Sequence, residues 1–387
     1  MLNRGFVVLC ISAFVIAIGA GIIVPILPLY TDSLGATGIM LGIVFSSTPL
    51  TMALCSPFMG RLSDRLGKKL LITSGLAVGS FIAITFVWAT NSADLITIRL
   101  LQGISNAMVV PIVMAYMGEL SPKGQEGSYM GVYSMMAFLG MAAGPLAGGV
   151  IADSWGMDSS FYAFGGSLGI VFILTLFLLP PQKGLKEPQP ISKRPLKDIL
   201  ASDPLKGLFV FSFTLAIAQS GLMVFLPLLA KGQQLTITEI GLLASVFVLS
   251  AGILQVPFGI VADRYNKVML VMIGTLSVAV GLAYMTLVPG FLSLLCLAAI
   301  MGVASAVASP AANAMVVEYS REIGMGVVMG SMRSFTSLGM IIGPIVAGIA
   351  MDLVNIDYAF YLCSMIFIIG ACVFYHYTKD ISENSKD

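Results

Sequence analysis

The sequence predicts an all-α membrane protein with twelve transmembrane helices, arranged as two parallel repeats of six helices. Three observations predict this fold class. The chain is 58% apolar and only 10% charged, and its mean hydropathy is +0.97. It contains many runs of about eighteen or more apolar residues, the length that crosses a bilayer. Special residues of the first half also recur in the second half at one fixed offset.

The predicted spans are separated by turn residues such as Asn91-Ser92 and Ser121-Pro122. No small-residue cleavage site follows the first apolar run, which favours a membrane span over a cleavable signal peptide. We expect the spans at residues 6–30, 38–60, 70–90, 95–118, 127–152, 160–180, 207–230, 239–262, 268–289, 291–317, 325–350 and 358–378.

The distribution of basic residues predicts the orientation of these spans. One set of alternate loops, which includes both termini and the long segment 181–206, holds 17 of the 20 Lys and Arg residues. The opposite loops hold only Lys231, and Arg99 and Arg333 fall inside predicted spans. By the positive-inside rule, both termini and segment 181–206 face the cytoplasm, and the protein lies in the cell membrane.

An offset of 199 residues relates the two halves of the chain. It carries Gly60, Asp64, Arg65 and Lys68 onto Gly259, Asp263, Arg264 and Lys267, and Gly144, Pro145, Gly149 and Asp153 onto Gly343, Pro344, Gly348 and Asp352. We predict a six-helix domain at 1–180, a linker at 181–206 and a second six-helix domain at 207–387. Parallel repeats of this kind occur in transporters, where one repeat rocks against the other around a site near the midplane.

The composition excludes several other function classes. The net charge of +1 gives no basic field for nucleic acid, and a single His with no CxxC pair provides neither a metal site nor a hydrolytic triad. A nucleotide-binding GxxxxGK[ST] loop is absent. We therefore expect no enzyme activity and no cofactor. We also expect the protein to be a monomer. Its expected partners are a small-molecule substrate and membrane lipid.

The loop after the second span reads GRLSDRLGKK. A carboxylate at a membrane edge is costly unless it is paired, and a plain positive-inside loop explains the cations but not Asp64. We predict a conformational latch in which carboxylates at the ends of the fourth and tenth spans are the candidate partners. Its residues are Asp64, Arg65, Lys68 and Glu119, with the copies Asp263, Arg264, Lys267 and Glu318.

The pattern G-x3-D-R-x-G-K-K resembles the signature loop of the major facilitator superfamily. In that superfamily the loop couples the two halves on the cytoplasmic side, and the resemblance implies this role for Asp64, Arg65 and Lys68. The second copy, GIVADRYNKV, departs from the pattern because Asn266 stands where the first copy has Gly67.

Arg99, Gln102 and Asn106 recur at helical spacing, so they share one face of the fourth span. Charge inside a membrane indicates a functional site, although Arg99 at the outer end of the span also suits snorkelling. Arg99 and Gly103 resemble the superfamily's R-x-x-x-G element, whose arginine is implicated in coupling in drug/proton antiporters. The resemblance also places the first, fourth, seventh and tenth spans around a central cavity, which implicates Gln219 and Asn313.

Arg333 lies in the eleventh span, about two turns from its predicted cytoplasmic end. Two interpretations are open for this arginine. It either snorkels towards the cytoplasm or faces the cavity, where it would meet an anionic group on a substrate.

The fifth span carries Gly140, Gly144 and Gly148 at a spacing that forms a ridge of small residues, and Pro145 kinks the helix. A packing ridge without chemistry is the alternative to a functional motif. The string, completed by Gly149, resembles the G-x-x-x-G-P-x-x-G-G element of the exporter and antiporter branches of the superfamily. The eleventh span repeats it at Gly343 and Pro344, and the resemblance implies export.

The predicted spans contain no Asp or Glu at mid-depth, where proton-coupled exporters often bury a titratable carboxylate. Coupling to protons through Asp32 or Arg99 stays open. The sequence therefore predicts a secondary transporter that resembles the twelve-helix drug/proton antiporters and exports apolar or amphipathic solutes by rocker-switch alternating access. Alternatives are a metabolite importer or facilitator, a lipid flippase of the same fold, and a membrane-embedded sensor.

Overall fold

The computed structural model describes residues 4–122, 125–180, 202–323 and 325–384. These residues are almost entirely helical and contain no β-strand. The helices are α1 Arg4–Ser33, α2 Gly38–Leu66, α3 Lys68–Thr85 with a 3₁₀ turn at Phe86–Trp88, α4 Ser92–Leu120, α5 Glu126–Trp155, α6 Met157–Leu178, α7 Asp203–Gly232, α8 Ile237–Ile253, α9 Gln255–Arg264, α10 Lys267–Tyr284, α11 Phe291–Ile323, α12 Met325–Leu353 and α13 Ile356–Asn384.

Eleven helical segments in the described part of the chain are long and apolar enough to cross a bilayer. The helices α8 and α9 meet the same criterion only as a pair and bring the number to twelve if the pair is one span. The prediction of an all-α protein with twelve spans is confirmed. Most of the predicted linker, residues 181–201, lies outside the described residues, and α7 begins at Asp203, before the predicted start of the seventh span at residue 207.

The eighth predicted span, 239–262, is not one straight helix. It breaks at Leu254, and the axes of α8 and α9 differ by 41°. Pro257 accounts for the break, because its nitrogen carries no hydrogen for the carbonyl of Ile253 and its ring clashes with that carbonyl. The predicted eighth span therefore corresponds to the bent pair of helices α8 and α9.

The chain forms two compact units, and each has the same internal helix pairing. The described part of the first unit lies within Met1–Ala36, Ile43–Gln189 and Thr236–Ser245, and that of the second within Thr37–Gly42, Pro190–Leu235 and Val246–Asp387. In the first unit, α1 packs on α5 and α6, and α3 packs on α4 and α6. In the second unit, α7 packs on α12 and α13, and α10 packs on α11 and α13. The repeat in sequence is thus a repeat in packing.

Within the first unit, the predicted glycine ridge of α5 contacts α1. A Cβ atom added at Gly144 would lie 2.6 Å from the Cα of Gly21, and one added at Gly148 would lie 2.8 Å from the Cα of Ile22. Gly140 meets α1 one turn away, where an added Cβ would lie 2.8 Å from Ala17. Only glycine permits so close an approach of two helix backbones.

Each unit also contains the first turns of a helix whose remainder belongs to the other unit. In the second unit, Asp352 accepts hydrogen bonds from the backbone N–H groups of Gly38 and Ile39, at 2.6 and 2.8 Å. In the first unit, Asp153 accepts from the N–H and the hydroxyl of Thr238, at 2.7 and 2.6 Å. These two carboxylates, related by the repeat, cap the N-termini of α2 and α8 and complement their positive dipole ends.

Replacing Gly148 with Ala should destabilise the protein by about 1–3 kcal/mol, because the new methyl group collides with the backbone of α1. The matched control is Gly131→Ala on the same helix, where an added Cβ meets nothing within 4 Å and alanine favours the helix by about 1 kcal/mol. Thermal unfolding of the detergent-solubilised protein measures both variants. Equal melting temperatures for the two variants would contradict the packing role of Gly148.

Replacing Asp352 with Ala should cost about 0.5–2 kcal/mol, because two N–H groups at the start of α2 lose their acceptor. Asp352→Asn keeps one acceptor oxygen and should lose less. Melting temperature and the hydrogen exchange of the first amides of α2 provide the measurements. The capping role is refuted if the hydrogens of these amides exchange at the same rate in Asp352→Ala, in Asp352→Asn and in the parent protein.

Candidate functional site

The second unit contains a cavity of about 300 Å³ between α7, α11 and α12. Each helix contributes one face, because its lining residues recur every three to four positions along the helix. The lining residues are Phe211, Ser212, Leu215, Ala216 and Gln219 from α7, Ser309, Ala312, Asn313 and Val316 from α11, and Met329, Met332, Arg333 and Thr336 from α12.

Three of the predicted substrate-binding residues meet at this cavity. Gln219, Asn313 and Arg333 each come from a different helix, and all three side chains are exposed. Neither amide makes a hydrogen bond to another described residue, so both are available to a ligand. Two other polar lining groups, the hydroxyls of Ser212 and Thr336, have partners within the second unit. For example, the Ser212 hydroxyl lies 3.7 Å from the sulfur of Met332.

The apolar part of the wall was not named from the sequence. Phe211, Leu215, Met329 and Met332 line the cavity. The spacing of Met329 and Met332 relative to Arg333 places all three on one face of α12. The helical period around Arg333, a predicted site residue, could therefore have identified both methionines from the sequence. A mostly apolar wall with a few polar groups is typical of small-molecule sites.

Arg99 and Gln102 form a separate cluster in the first unit. The Arg99 guanidinium donates to the Gln102 side-chain oxygen at 2.9 Å and to the carbonyl of Val44 at 3.3 Å, and it lies 5.2 Å from the centre of the Phe45 ring. The partners in α2 were not predicted. Asn106, on the same face of α4 one turn further on, is half-buried.

Gly103 explains how Arg99 reaches α2. A Cβ atom added at Gly103 would lie 2.5 Å from the carbonyl oxygen of Thr48, so only glycine lets α4 and α2 approach at this level. The Thr48 hydroxyl donates to the carbonyl of Arg99 at 2.9 Å. The R-x-x-x-G element of this chain is therefore a contact between α2 and α4, in which Arg99 is held by a carbonyl, an amide and an aromatic ring.

The predicted latch residues form one ion pair in each repeat. Lys68 pairs with Glu119, and the Lys68 side chain is only 8% exposed. Lys267 pairs with Glu318 at 3.0 Å, where both side chains are more exposed. The pairs join the start of α3 to the end of α4, and the start of α10 to the end of α11, and they keep the offset of the repeat.

The aspartates of the same loops are placed differently. Asp64 is half-buried and Asp263 is exposed, and neither forms an ion pair with another described residue. Arg65 and Arg264 are exposed at the ends of α2 and α9. Glu119 and Glu318, the carboxylates expected in the latch, thus pair with the lysines of their own repeat and not with these arginines.

The Gly-Pro residues meet other helices of their own unit. Gly149 faces the start of α8, where an added Cβ would lie 2.7 Å from the Cα of Thr238. Gly343 faces α7, 2.9 Å from the Cα of Ile217, and the backbone of Pro344 contacts Gly42. Pro145 contacts Gly241 in the same way. Both prolines lie inside continuous helices.

Asp32, the remaining candidate for proton coupling, lies in the last turn of α1 and is half-buried. It does not belong to the cavity of the second unit, and none of the residues described as lining that cavity is acidic.

The chain is similar to two bacterial resistance proteins along nearly its whole length. Quinolone resistance protein NorA of Staphylococcus aureus is 28% identical over 389 residues, with 96% of each chain covered. Multidrug resistance protein 2 of Bacillus subtilis is 26% identical over 376 residues, covering 94% of this chain and 93% of that protein.

Solved structures share the fold. A bacterial homolog of the human lysosomal transporter Spinster superposes with a TM-score of 0.83 at 13% identity, with 98% of both chains covered. The nucleoside transporter NupG gives a TM-score of 0.77 at 14% identity, covering 97% of this chain and all of that one. The sequence profile of the Major Facilitator Superfamily matches residues 9–236 and 208–387. Because these two matches together cover residues 9–387, the chain belongs to the Major Facilitator Superfamily.

Proposed function

We propose that this multi-pass membrane protein is a secondary active transporter that exports small apolar or amphipathic solutes. The observation that carries the proposal is the cavity of the second unit, whose apolar wall is interrupted by the exposed polar ends of Gln219, Asn313 and Arg333. Similarity to multidrug resistance proteins supports export. Both termini face the cytoplasm in this proposal, because the basic loops lie on that side.

The residues that line this cavity explain how it would bind such a solute. A solute that buries its apolar body against Phe211, Leu215 and the methionines gains about 25 cal/mol per Å² removed from water. The unbranched side chains of Met329 and Met332 adapt to solutes of different shape. The polar groups orient the solute without demanding one particular structure. The repeats then alternate access to the two sides of the membrane by a rocker-switch movement.

The source of energy is a separate part of the proposal. None of the described residues that line the cavity carries a carboxylate, so in this proposal protons that drive export act through groups outside it. Asp32 and Arg99 are the candidates. Arg99 links α2 to α4 through the carbonyl of Val44, and a movement of α2 would break this contact and expose the guanidinium to another partner.

Everted membrane vesicles from cells that overproduce the protein should accumulate amphipathic fluorescent dyes several-fold faster than vesicles from cells without it. Accumulation into everted vesicles corresponds to export from cells. An imposed proton gradient, acid inside, should accelerate it if protons are the coupling ion. The same flux with and without the gradient would indicate a facilitator. Dye movement only in the import direction would contradict the export proposal and indicate an importer. Movement of labelled phospholipid alone would contradict it and indicate a flippase.

The ion pair between Lys68 and Glu119 should be needed for transport, as part of the proposed latch. Lys68→Met leaves the carboxylate at the end of α4 without its cation, and Glu119→Gln leaves a nearly buried ammonium without its anion, at a cost of about 1–3 kcal/mol. Dye transport should fall several-fold in each. The double variant with both charges exchanged should recover part of the activity.

The more exposed pair, Lys267 and Glu318, provides the matched control, and its loss should matter less. Asp64→Asn should also reduce transport while expression is unchanged, because the latch requires its charge. Full activity in Asp64→Asn, or no recovery in the exchanged pair, would remove the latch from the proposal.

A further inference from the structure

We infer that the cavity of the second unit selects amphipathic organic anions, and that Arg333 is the residue that binds the anionic group. This inference rests on the proposed transport function and narrows its substrate class. It concerns a carboxylate or a group of similar charge attached to an apolar body, rather than the cations for which a carboxylate-lined cavity would be suited.

The charge of the wall is the first argument. Of the described residues that line the cavity, only Arg333 is charged. Its side chain is exposed, on the same face of α12 as Met329, Met332 and Thr336. An arginine on the wall of the cavity is placed to meet a ligand. The apolar residues beside it make the attraction to an anion stronger than in bulk water.

The second argument is that the fold does not require these polar residues. The repeat offset carries Gln219, Asn313 and Arg333 back onto Ala20, Met114 and Ser134 in the first repeat. Both repeats pair their helices in the same way, so the scaffold forms with small or apolar side chains at these three positions. A polar cluster present in one repeat alone indicates a ligand rather than a structural need.

The third argument is chemical complementarity. A guanidinium presents parallel N–H donors that match the two oxygens of a carboxylate. The amides of Gln219 and Asn313 are exposed on the other two walls and can donate to the same group. Phe211, Leu215 and the two methionines leave room for an apolar body beside it. The site is therefore built for a solute with one anionic end.

Three fluorescent compounds with the same apolar body test the inference: anionic dansylglycine, neutral dansylglycinamide and cationic dansylethylenediamine. The protein is reconstituted in phosphatidylcholine vesicles, and binding and transport are measured for each compound. The parent protein should prefer the anion. Arg333→Gln should weaken anion binding about 10-fold or more, the effect of losing one charge-assisted hydrogen bond. Binding of the neutral amide should change less than about 2-fold, and Arg333→Lys should retain part of the anion preference.

Other outcomes separate this inference from the proposed function. Transport of the neutral or cationic compound in preference to the anion leaves the transport proposal intact and overturns the anion selectivity. An equal loss for all three compounds in Arg333→Gln would show a structural role and also overturn it. If none of the compounds is transported, both proposals fail for this class of solute. A parallel set of vesicles containing phosphatidylglycerol identifies the source of the anion, since competition by that lipid would make the ligand an anionic lipid rather than a soluble solute.

Discussion

The close approach of helix backbones at glycine is the constraint on which the rest of this structure depends. Inside a bilayer, lipid tails are as apolar as the helix surfaces, so helices associate through packing rather than through the hydrophobic effect. In the first unit this contact is made where Gly144 of α5 meets Gly21 of α1. In the second unit Gly343 of α12 meets Ile217 of α7. The latter contact fixes α12 against α7 about three turns beyond Met332 and Arg333, which line the cavity.

Polar groups follow a second rule, which is that a group removed from water needs a partner. The aspartates Asp153 and Asp352 satisfy the N–H groups of helix ends. Lys68 satisfies Glu119, and Arg99 is satisfied by a carbonyl and an amide. The amides of Gln219 and Asn313 differ from these groups. They are exposed at the cavity and make no such bond to the described residues. Partnered groups hold the fold together, whereas these amides are available to a solute.

Comparison of the two repeats separates scaffold from chemistry. Positions that keep their residue across the offset, such as Gly144 with Gly343 and Asp153 with Asp352, make packing or capping contacts in both units. Positions that differ carry the distinctive polar groups. Arg99 corresponds to Ala298, and Arg333 corresponds to Ser134. The first repeat therefore has its arginine in a contact between two helices, and the second has its arginine on a cavity wall. The two repeats therefore share one pattern of helix packing and differ in the polar groups that they carry.

By itself the sequence determined the fold class, the number of spans and the repeat, because long apolar runs and a constant offset are local and countable features. It also identified Gln219, Asn313 and Arg333 as candidates, since polar groups in apolar helices are conspicuous. It did not determine the break at Leu254: Pro257 breaks its span, whereas α2 remains continuous through Pro57. Only the tertiary structure decided that Arg99 contacts α2 and that Arg333 lies on a cavity with Met329 and Phe211. The physical reason is that a helical period gives the face a residue occupies, while the neighbour of that face depends on how distant helices pack.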